Sequence, residues 1–243
     1  MTLSSTLVRS NSLGAKALMV LGGSLFIAAA AQVTVPMYPV PVTLQTLAVL
    51  LVGFAYGARL GAVTLLAYLA EGAMGLPVFA GFANGAAFFG PTAGFLVGFV
   101  GMAWLAGLAA DAGVRRVLPL SVAAIVISAL LYVPGAAWPM AVAGTFGLEG
   151  GWVNISASGI WTYFMAPFLI GDAVKAVLAA VIVTGAWKAV ARTTSSWASG
   201  SVIPSKLSLL SKTASSTSPP PKRPTAERTS HHEPPSIARG SPT

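Results

Sequence analysis

Asp172 and Lys175 are the residues whose types and spacing most clearly suggest chemistry. They lie three positions apart in an apolar segment, so on a helix both side chains project from one face. Inserting an ionisable group into a membrane span costs about 3 kcal/mol, and such groups usually mark a substrate or ion path. The pair therefore predicts a polar site inside a membrane span. A structural ion pair between helices is the alternative.

Four other polar residues could belong to the same site. Tyr68 and Glu71 lie near the end of one apolar segment, Gln45 begins another, and Asn84 lies in a connection rich in glycine and aromatic residues. Asn84 carries both a donor and an acceptor, although Asn-Gly more often forms a turn. Glu71 could equally lie at the membrane interface. Together with the ion pair, these groups predict a pocket for a small, mostly apolar molecule with a hydrogen-bonding head and one negative charge.

Several chemistries have no residues to use. The chain has no cysteine, and its two histidines, His231 and His232, lie in the polar C-terminal segment. Disulfides, thiol nucleophiles, a His-ligated metal site and a Ser-His hydrolase are therefore excluded from the apolar part. No Gly-x-x-x-x-Gly-Lys-Ser/Thr string occurs, so any nucleotide hydrolysis must come from a partner. We expect a protein that is not an enzyme, holds no metal or other cofactor, and binds no nucleic acid.

The composition places most of the chain in the lipid bilayer. Of its 243 residues, 55% are hydrophobic and 8% are charged, whereas about a quarter of the residues of a soluble domain carry charge. Apolar stretches occur at residues 15–33, 43–58, 60–77, 92–111, 117–135 and 161–189. The second and third are short against the ~20 residues of a straight span, which favours tilted packing around a cavity at one end. The predicted fold is an all-α integral membrane protein with six transmembrane helices.

The distribution of Lys and Arg predicts the orientation of these helices. Basic residues occur before the first span, between the second and third, between the fourth and fifth, and after the sixth. The alternate connections, 34–42, 78–91 and 136–160, have none. Because cytoplasmic loops retain positive charge, both termini are predicted to be cytoplasmic. Asp172 and Lys175 then lie in the outer half of the last span.

Two further segments have two interpretations each. Pro36, Pro39 and Pro41 fall within six residues of the first outer connection, which excludes a helix and predicts a stiff cap, either a lid or a plain linker. Ser24 and Ala28 form a small-xxx-small pair in the first span. Such a pair lets another helix approach closely, either within the chain or from a partner.

The sequence divides into two regions after Arg192. Residues 1–192 form the predicted six-helix membrane domain. Residues 193–243 are rich in Ser, Thr and Pro and have a basic balance, so we predict a disordered cytoplasmic tail.

Four ordered strings carry a specific family resemblance. They are VPMYPVPVTLQTL at 35–47, GLPVFA at 75–80, GPTAGF at 90–95 and GDAVK at 171–175. Over residues 12–192 the chain resembles BioY, the biotin-binding S component of energy-coupling-factor (ECF) transporters. The resemblance implies a six-helix subunit of the bacterial cytoplasmic membrane that captures biotin from outside and works with a transmembrane T component and ABC ATPases. A self-contained secondary permease for biotin is the alternative.

The resemblance also assigns roles to residues of the site. It implies that Asp172 accepts hydrogen bonds from the ureido N–H groups of biotin, and that Lys175 either balances Asp172 or meets the biotin carboxylate. Asn84, Tyr68 and Gln45 would contribute further hydrogen bonds. The proline-rich segment would cap the bound ligand.

This chain departs from the family pattern at two places. Ala93 and Phe95 stand where the family usually has a glycine and a tyrosine, which removes a hydroxyl group. Ser24 and Ala28 stand where S components commonly have Ala-xxx-Ala for docking on the T component, so the resemblance makes this pair the candidate partner contact.

Overall fold

The computed structural model of the protein describes residues 12–198, and these are mostly helical. The helices are α1 (Leu13–Gln32), α2 (Gln45–Tyr56), α3 (Ala58–Ala73), α4 (Ala93–Asp111), α5 (Val117–Ala137), the short α6 (Ala157–Ile160) and α7 (Ala166–Ala198). Two short strands, β1 (Thr34–Val35) and β2 (Val42–Thr43), pair antiparallel as a hairpin between α1 and α2. Two 3-10 turns, Ala80–Phe82 and Gly85–Phe89, connect α3 to α4.

Two helices continue through irregular helical turns at one end. α5 runs on as a π turn, Trp138–Val142, and a 3-10 turn, Ala143–Phe146, while the π turn Trp161–Met165 joins α6 to α7. Pro134 lies inside α5, and because proline has no N–H it removes a regular hydrogen bond shortly before the π turn begins.

A helix occupies the position of each predicted span, and four of the helical segments are long and apolar enough to cross a bilayer. These are Leu13–Gln32, Ala93–Asp111, Val117–Phe146 and Ala157–Arg192. α2 and α3 have 12 and 16 residues, so they rise only about 18 and 24 Å, against a hydrocarbon core of about 30 Å. The predominantly helical fold is confirmed, and the second and third helices are short, as predicted. Crossing by all six helices remains a prediction.

α4 lies at the centre of the helices and packs against α2, α3 and α5. Gly53 of α2 allows a close approach, since a Cβ there would lie 2.6 Å from the backbone oxygen of Ala103 in α4. Phe54, Leu65 and Phe99 fill the core around this contact. The predicted third span extends to residue 77, but α3 ends at Ala73 because Gly75 has a φ of +96°.

The structure corrects the assignment of Ser24 to a partner surface. Ser24 is fully buried within the chain, and its hydroxyl donates to Oε1 of Glu71 in α3 at 2.7 Å. Ala28, one turn further along α1, is partly buried. Ser24 therefore serves the packing of α1 on α3, which was the alternative, and it is not accessible to another subunit. A partner contact at Ala28 remains a prediction.

The Ser24 contact predicts a specific loss of stability. Glu71 Oε2 is buried with no hydrogen-bond partner among the described residues, so Ser24→Ala would leave the whole carboxyl group without that donor. We expect a loss of about 1–3 kcal/mol, measurable as a lower apparent Tm in detergent. Ser128→Ala is the matched control. The Ser128 hydroxyl is buried like that of Ser24, but it has no hydrogen-bond partner among the described residues, so its removal should change the Tm little. Equal Tm values for the two variants would contradict this assignment.

α7 continues to Ala198, six residues past the predicted end of the membrane domain at 192. The rest of the predicted tail, residues 199–243, and the N-terminal residues 1–11 lie outside the described residues. The disorder predicted for the tail remains a prediction.

Candidate functional site

A cavity of about 150 Å³ lies between the hairpin, the 3-10 turns and the helices α2, α4, α5 and α7. Its walls are mainly aromatic and aliphatic, with Phe79, Phe95, Phe99 and Phe168 among them. The polar side chains that line it are Thr43, Gln45, Thr46, Thr92, Tyr132, Asp172 and Lys175. The cavity thus joins an apolar enclosure to a compact polar cluster, as expected for a small-molecule site.

Asp172 is the centre of the polar cluster. Its Oδ1 accepts hydrogen bonds from Thr46 Oγ1 at 3.1 Å and from Lys175 Nζ at 3.0 Å, and its Oδ2 accepts from Tyr132 OH at 2.7 Å. Three helices, α2, α5 and α7, therefore fix the position of one carboxyl group. Asp172 as a whole residue is only 6% exposed, and its side chain lines the cavity.

Lys175 forms an ion pair with Asp172, as the i, i+3 spacing predicted. Both side chains are buried, and breaking such a pair by removing one partner leaves an uncompensated charge, at a cost of about 3–5 kcal/mol. An ammonium group has three N–H donors. Within the described residues, Lys175 donates one hydrogen bond, to Asp172. Its other N–H donors can therefore bind a molecule in the cavity.

Gln45 and Tyr68 form a second hydrogen-bonded pair, but only Gln45 lines the cavity. Gln45 Nε2 donates to Tyr68 OH at 2.9 Å, and Tyr68 OH donates to the backbone oxygen of Val78 at 3.0 Å. Tyr68 is fully buried. Its position is therefore behind the cavity wall, where it holds Gln45 and the segment that follows α3.

Asn84 is not brought into the cavity. Its side chain is exposed, and its Oδ1 accepts a hydrogen bond from the backbone N–H of Ala86 at 3.3 Å, which caps the turn Gly85–Phe89. The structure thus shows the Asn-Gly turn that was the alternative interpretation of this residue.

The proline-rich segment forms the loop of the hairpin over one side of the cavity. Pro41 and its neighbour Val40 line the cavity, Pro39 is half-buried, and Pro36 is exposed. Val40 packs in a buried cluster that includes Tyr132 and Phe168. The segment is not helical, as predicted, and it covers the cavity through Val40 and Pro41.

Thr46, Tyr132 and Phe168 line the cavity but were not predicted as site residues. Tyr132 offered a usable signal, because a phenol in an otherwise apolar span needs a hydrogen-bond partner there. Phe95 meets Tyr132 edge-on at a centroid distance of 6.3 Å. A hydroxyl group from α5 therefore lies beside the position where α4 carries phenylalanine.

The cluster can recognise a neutral group with both donors and acceptors. It offers the lone pairs of Asp172, the ammonium donors of Lys175 and the amide of Gln45 beside an aromatic wall. Among residues 12–198 no three His, Cys, Asp or Glu side chains gather as a metal site would require.

Comparisons with known proteins agree on one family. A model described as the BioY family matches residues 5–192. The biotin transporter BioY of Rhodobacter capsulatus is 36% identical over 156 residues, which cover 60% of this chain and 77% of that protein. The probable biotin transporter BioY of Pyrococcus horikoshii is 46% identical over 79 residues, covering 32% of this chain and 49% of that protein. The match thus spans about half the length of the Pyrococcus relative.

A solved structure has a similar fold. It is the crystal structure of the S-component for biotin from an ECF-type ABC transporter, with a TM-score of 0.57 and 21% sequence identity. The similarity covers 74% of this chain and 95% of that one.

Proposed function

The chain belongs to the BioY family of membrane transport proteins, and from this premise we propose that it captures biotin at the outer side of the bacterial cytoplasmic membrane. Members of this family are transporter components, so the protein is not an enzyme. The positions of its basic residues favour cytoplasmic N- and C-termini, with the cavity opening outward.

The observation that carries this proposal is the buried Asp172–Lys175 pair in an apolar cavity. Biotin has a ureido head with two N–H donors and one acceptor oxygen, an apolar thiophane ring and a valerate carboxylate. An ionised carboxyl group has about four acceptor sites, and Asp172 uses three of them within the chain. The free site on Oδ2 accepts one ureido N–H, and a free Lys175 proton binds the ureido oxygen.

The other lining residues complete the match. Thr46 contacts Asp172 and Gln45 also lines the cavity, so either can take the second ureido N–H, while Phe95 and Phe168 enclose the thiophane ring. A contact between Asn84 and the ligand would require the turn that it caps to move, because Asn84 is exposed in the present arrangement. The hairpin loop with Pro36, Pro39 and Pro41 acts as the lid, with Val40 and Pro41 above the ligand.

Uptake then depends on partners. We propose that this chain works with a transmembrane T component and a pair of ABC ATPases, since it has no phosphate-binding string of its own. The fold that it shares with an S-component of an ECF-type ABC transporter supports this assembly. Because Ser24 is buried, the contact with a T component must use other residues of the membrane surface.

Isothermal titration of the purified full-length protein in detergent tests substrate capture. We expect one-to-one binding of biotin without any partner, and no binding of lipoate or thiamine, which lack the cyclic urea. Absence of biotin binding by folded protein, with a normal Tm and a monodisperse elution profile, would refute the proposed function.

A further inference from the structure

We propose that this site recognises the ureido head of biotin and does not recognise the charge of its valerate carboxylate. Biotin derivatives with an uncharged or extended tail should therefore bind about as tightly as biotin itself. This inference rests on the proposed function and names the class of ligands that the site accepts, namely cyclic ureas whose tail end is variable.

The charges of the residues that line the cavity cancel. Asp172 and Lys175 are the charged residues among those that line it, and they neutralise each other at 3.0 Å. Moving the ammonium group away to meet a ligand carboxylate would leave Asp172 without its counter-charge in a buried position. Lys175 therefore stays with Asp172 and the head of the ligand.

The ureido group and the carboxylate lie at opposite ends of biotin. The carboxylate lies at the far end of a chain of four methylene groups, away from the ureido group. A head group that binds Asp172 also covers Lys175, because the two side chains share one helix face and are in contact. The tail must then point away from this ion pair, toward the hairpin and the outer loops.

The outer connections, where the tail would end, carry no positively charged side chain. Within the described part of the chain, the outer connections 34–42, 78–91 and 136–160 contain neither Lys nor Arg, and they contain the acidic Glu149. Arg115 lies in the connection between α4 and α5, beside the ring of Trp187 at 5.4 Å from its centroid, and this connection is on the predicted cytoplasmic side. A carboxylate at the outer mouth would thus meet no counter-charge from these three connections.

The cavity does supply neutral donors near its outer end. Thr43 lies on β2 and Thr92 directly precedes α4, and both line the cavity. The Thr92 side chain does not cap α4, and the Thr43 hydroxyl accepts from Gln45 N–H, so its own proton can be donated elsewhere. A hydroxyl can donate to the oxygen of a carboxylate, an amide or an ester, so it does not require a charged acceptor. Such donors hold the tail without selecting its charge.

The test is a set of titrations of the full-length protein with biotin, biotinamide and biocytin, in which the carboxylate is an amide or is extended by lysine. We expect the three Kd values to agree within about three-fold. If the site recognised the carboxylate charge, the affinity for biotinamide would instead be at least about thirty-fold lower than that for biotin. Biotinamide binding more than about ten-fold weaker than biotin would overturn the inference. Failure of biotin itself to bind would instead refute the proposed function.

Two controls make the result specific. Biotin methylated at a ureido nitrogen changes the head alone, and its binding should be lost; retained binding would show that the head is not the recognised part. The Kd of biotin should also change by less than about two-fold between ~0.05 and ~0.5 M salt, since no exposed ion pair is involved. A Kd that rises steeply with salt would contradict the inference.

Discussion

Asp172→Asn should weaken biotin binding at least about 100-fold while the protein remains folded and inserted in the membrane. The carboxyl group receives three hydrogen bonds from Thr46, Tyr132 and Lys175, and its free acceptor site is the proposed contact for the ureido group. An amide has one acceptor oxygen in place of two, and it leaves the Lys175 ammonium without a counter-charge. Both changes act on the binding cluster, and titration calorimetry measures their sum.

The chain offers a matched control for this substitution. Asp111 lies at the end of α4, outside the cavity, and its Oδ2 accepts a hydrogen bond from the backbone N–H of Ala58 at 3.0 Å. Asp111→Asn keeps an acceptor oxygen there, so biotin affinity should stay within about two-fold. If Asp172→Asn bound biotin as well as Asp111→Asn does, Asp172 would be a structural residue only.

A second variant separates binding from folding. The double substitution Asp172→Asn with Lys175→Met removes both buried charges, which restores neutrality in the cluster. We expect its Tm to be closer to that of the unsubstituted protein than the Tm of Asp172→Asn is, with biotin binding still lost. Recovery of binding in the double variant would contradict a direct role for the ion pair.

Tyr132→Phe should weaken biotin binding by about ten-fold or more. The change removes one oxygen atom and with it the 2.7 Å hydrogen bond to Asp172 Oδ2, while the ring can keep its edge-on contact with Phe95. Without this donor the carboxyl group is held on one oxygen only, by Thr46 and Lys175. Tyr132 thus acts as a positioning residue for the oxygen that faces the ligand.

The control for this prediction is Tyr163→Phe. Tyr163 lies in the π turn before α7, is half exposed and does not line the cavity, so its substitution should leave affinity unchanged. Dissociation rates give a second readout, because an unfixed Asp172 should release biotin faster. Equal affinities and dissociation rates for the two variants would show that Tyr132 does not position Asp172.

The local part of the site could be predicted from the sequence, and the part built by tertiary contacts could not. The facing of Asp172 and Lys175 follows from helix geometry alone, and the structure shows their ion pair. Thr46 and Tyr132 lie 126 and 40 positions away from Asp172 in the chain. No short-range pattern connects residues at such separations, so their convergence depends on how α2, α5 and α7 pack.

Two motifs had alternatives that packing decides. Asn84 followed by glycine fits both a ligand contact and a turn, and the structure shows the capped turn. Ser24 and Ala28 fit both an intrachain and a partner interface, and Ser24 faces Glu71 of the same chain. In each case the residue types define what can be bonded, whereas the neighbouring helix or turn determines which partner is reached.

An experimental structure of the full-length protein with biotin bound would show directly whether Asp172 and Lys175 bind the ureido group. We expect the thiophane ring in the cavity between Phe95 and Phe168, with one ureido N–H about 3 Å from Asp172 Oδ2 and the ureido oxygen at a similar distance from Lys175 Nζ. The valerate tail should run toward Thr43 and Thr92. Biotin bound elsewhere, or with its carboxylate on Lys175 and its ureido group away from Asp172, would contradict this account of the site.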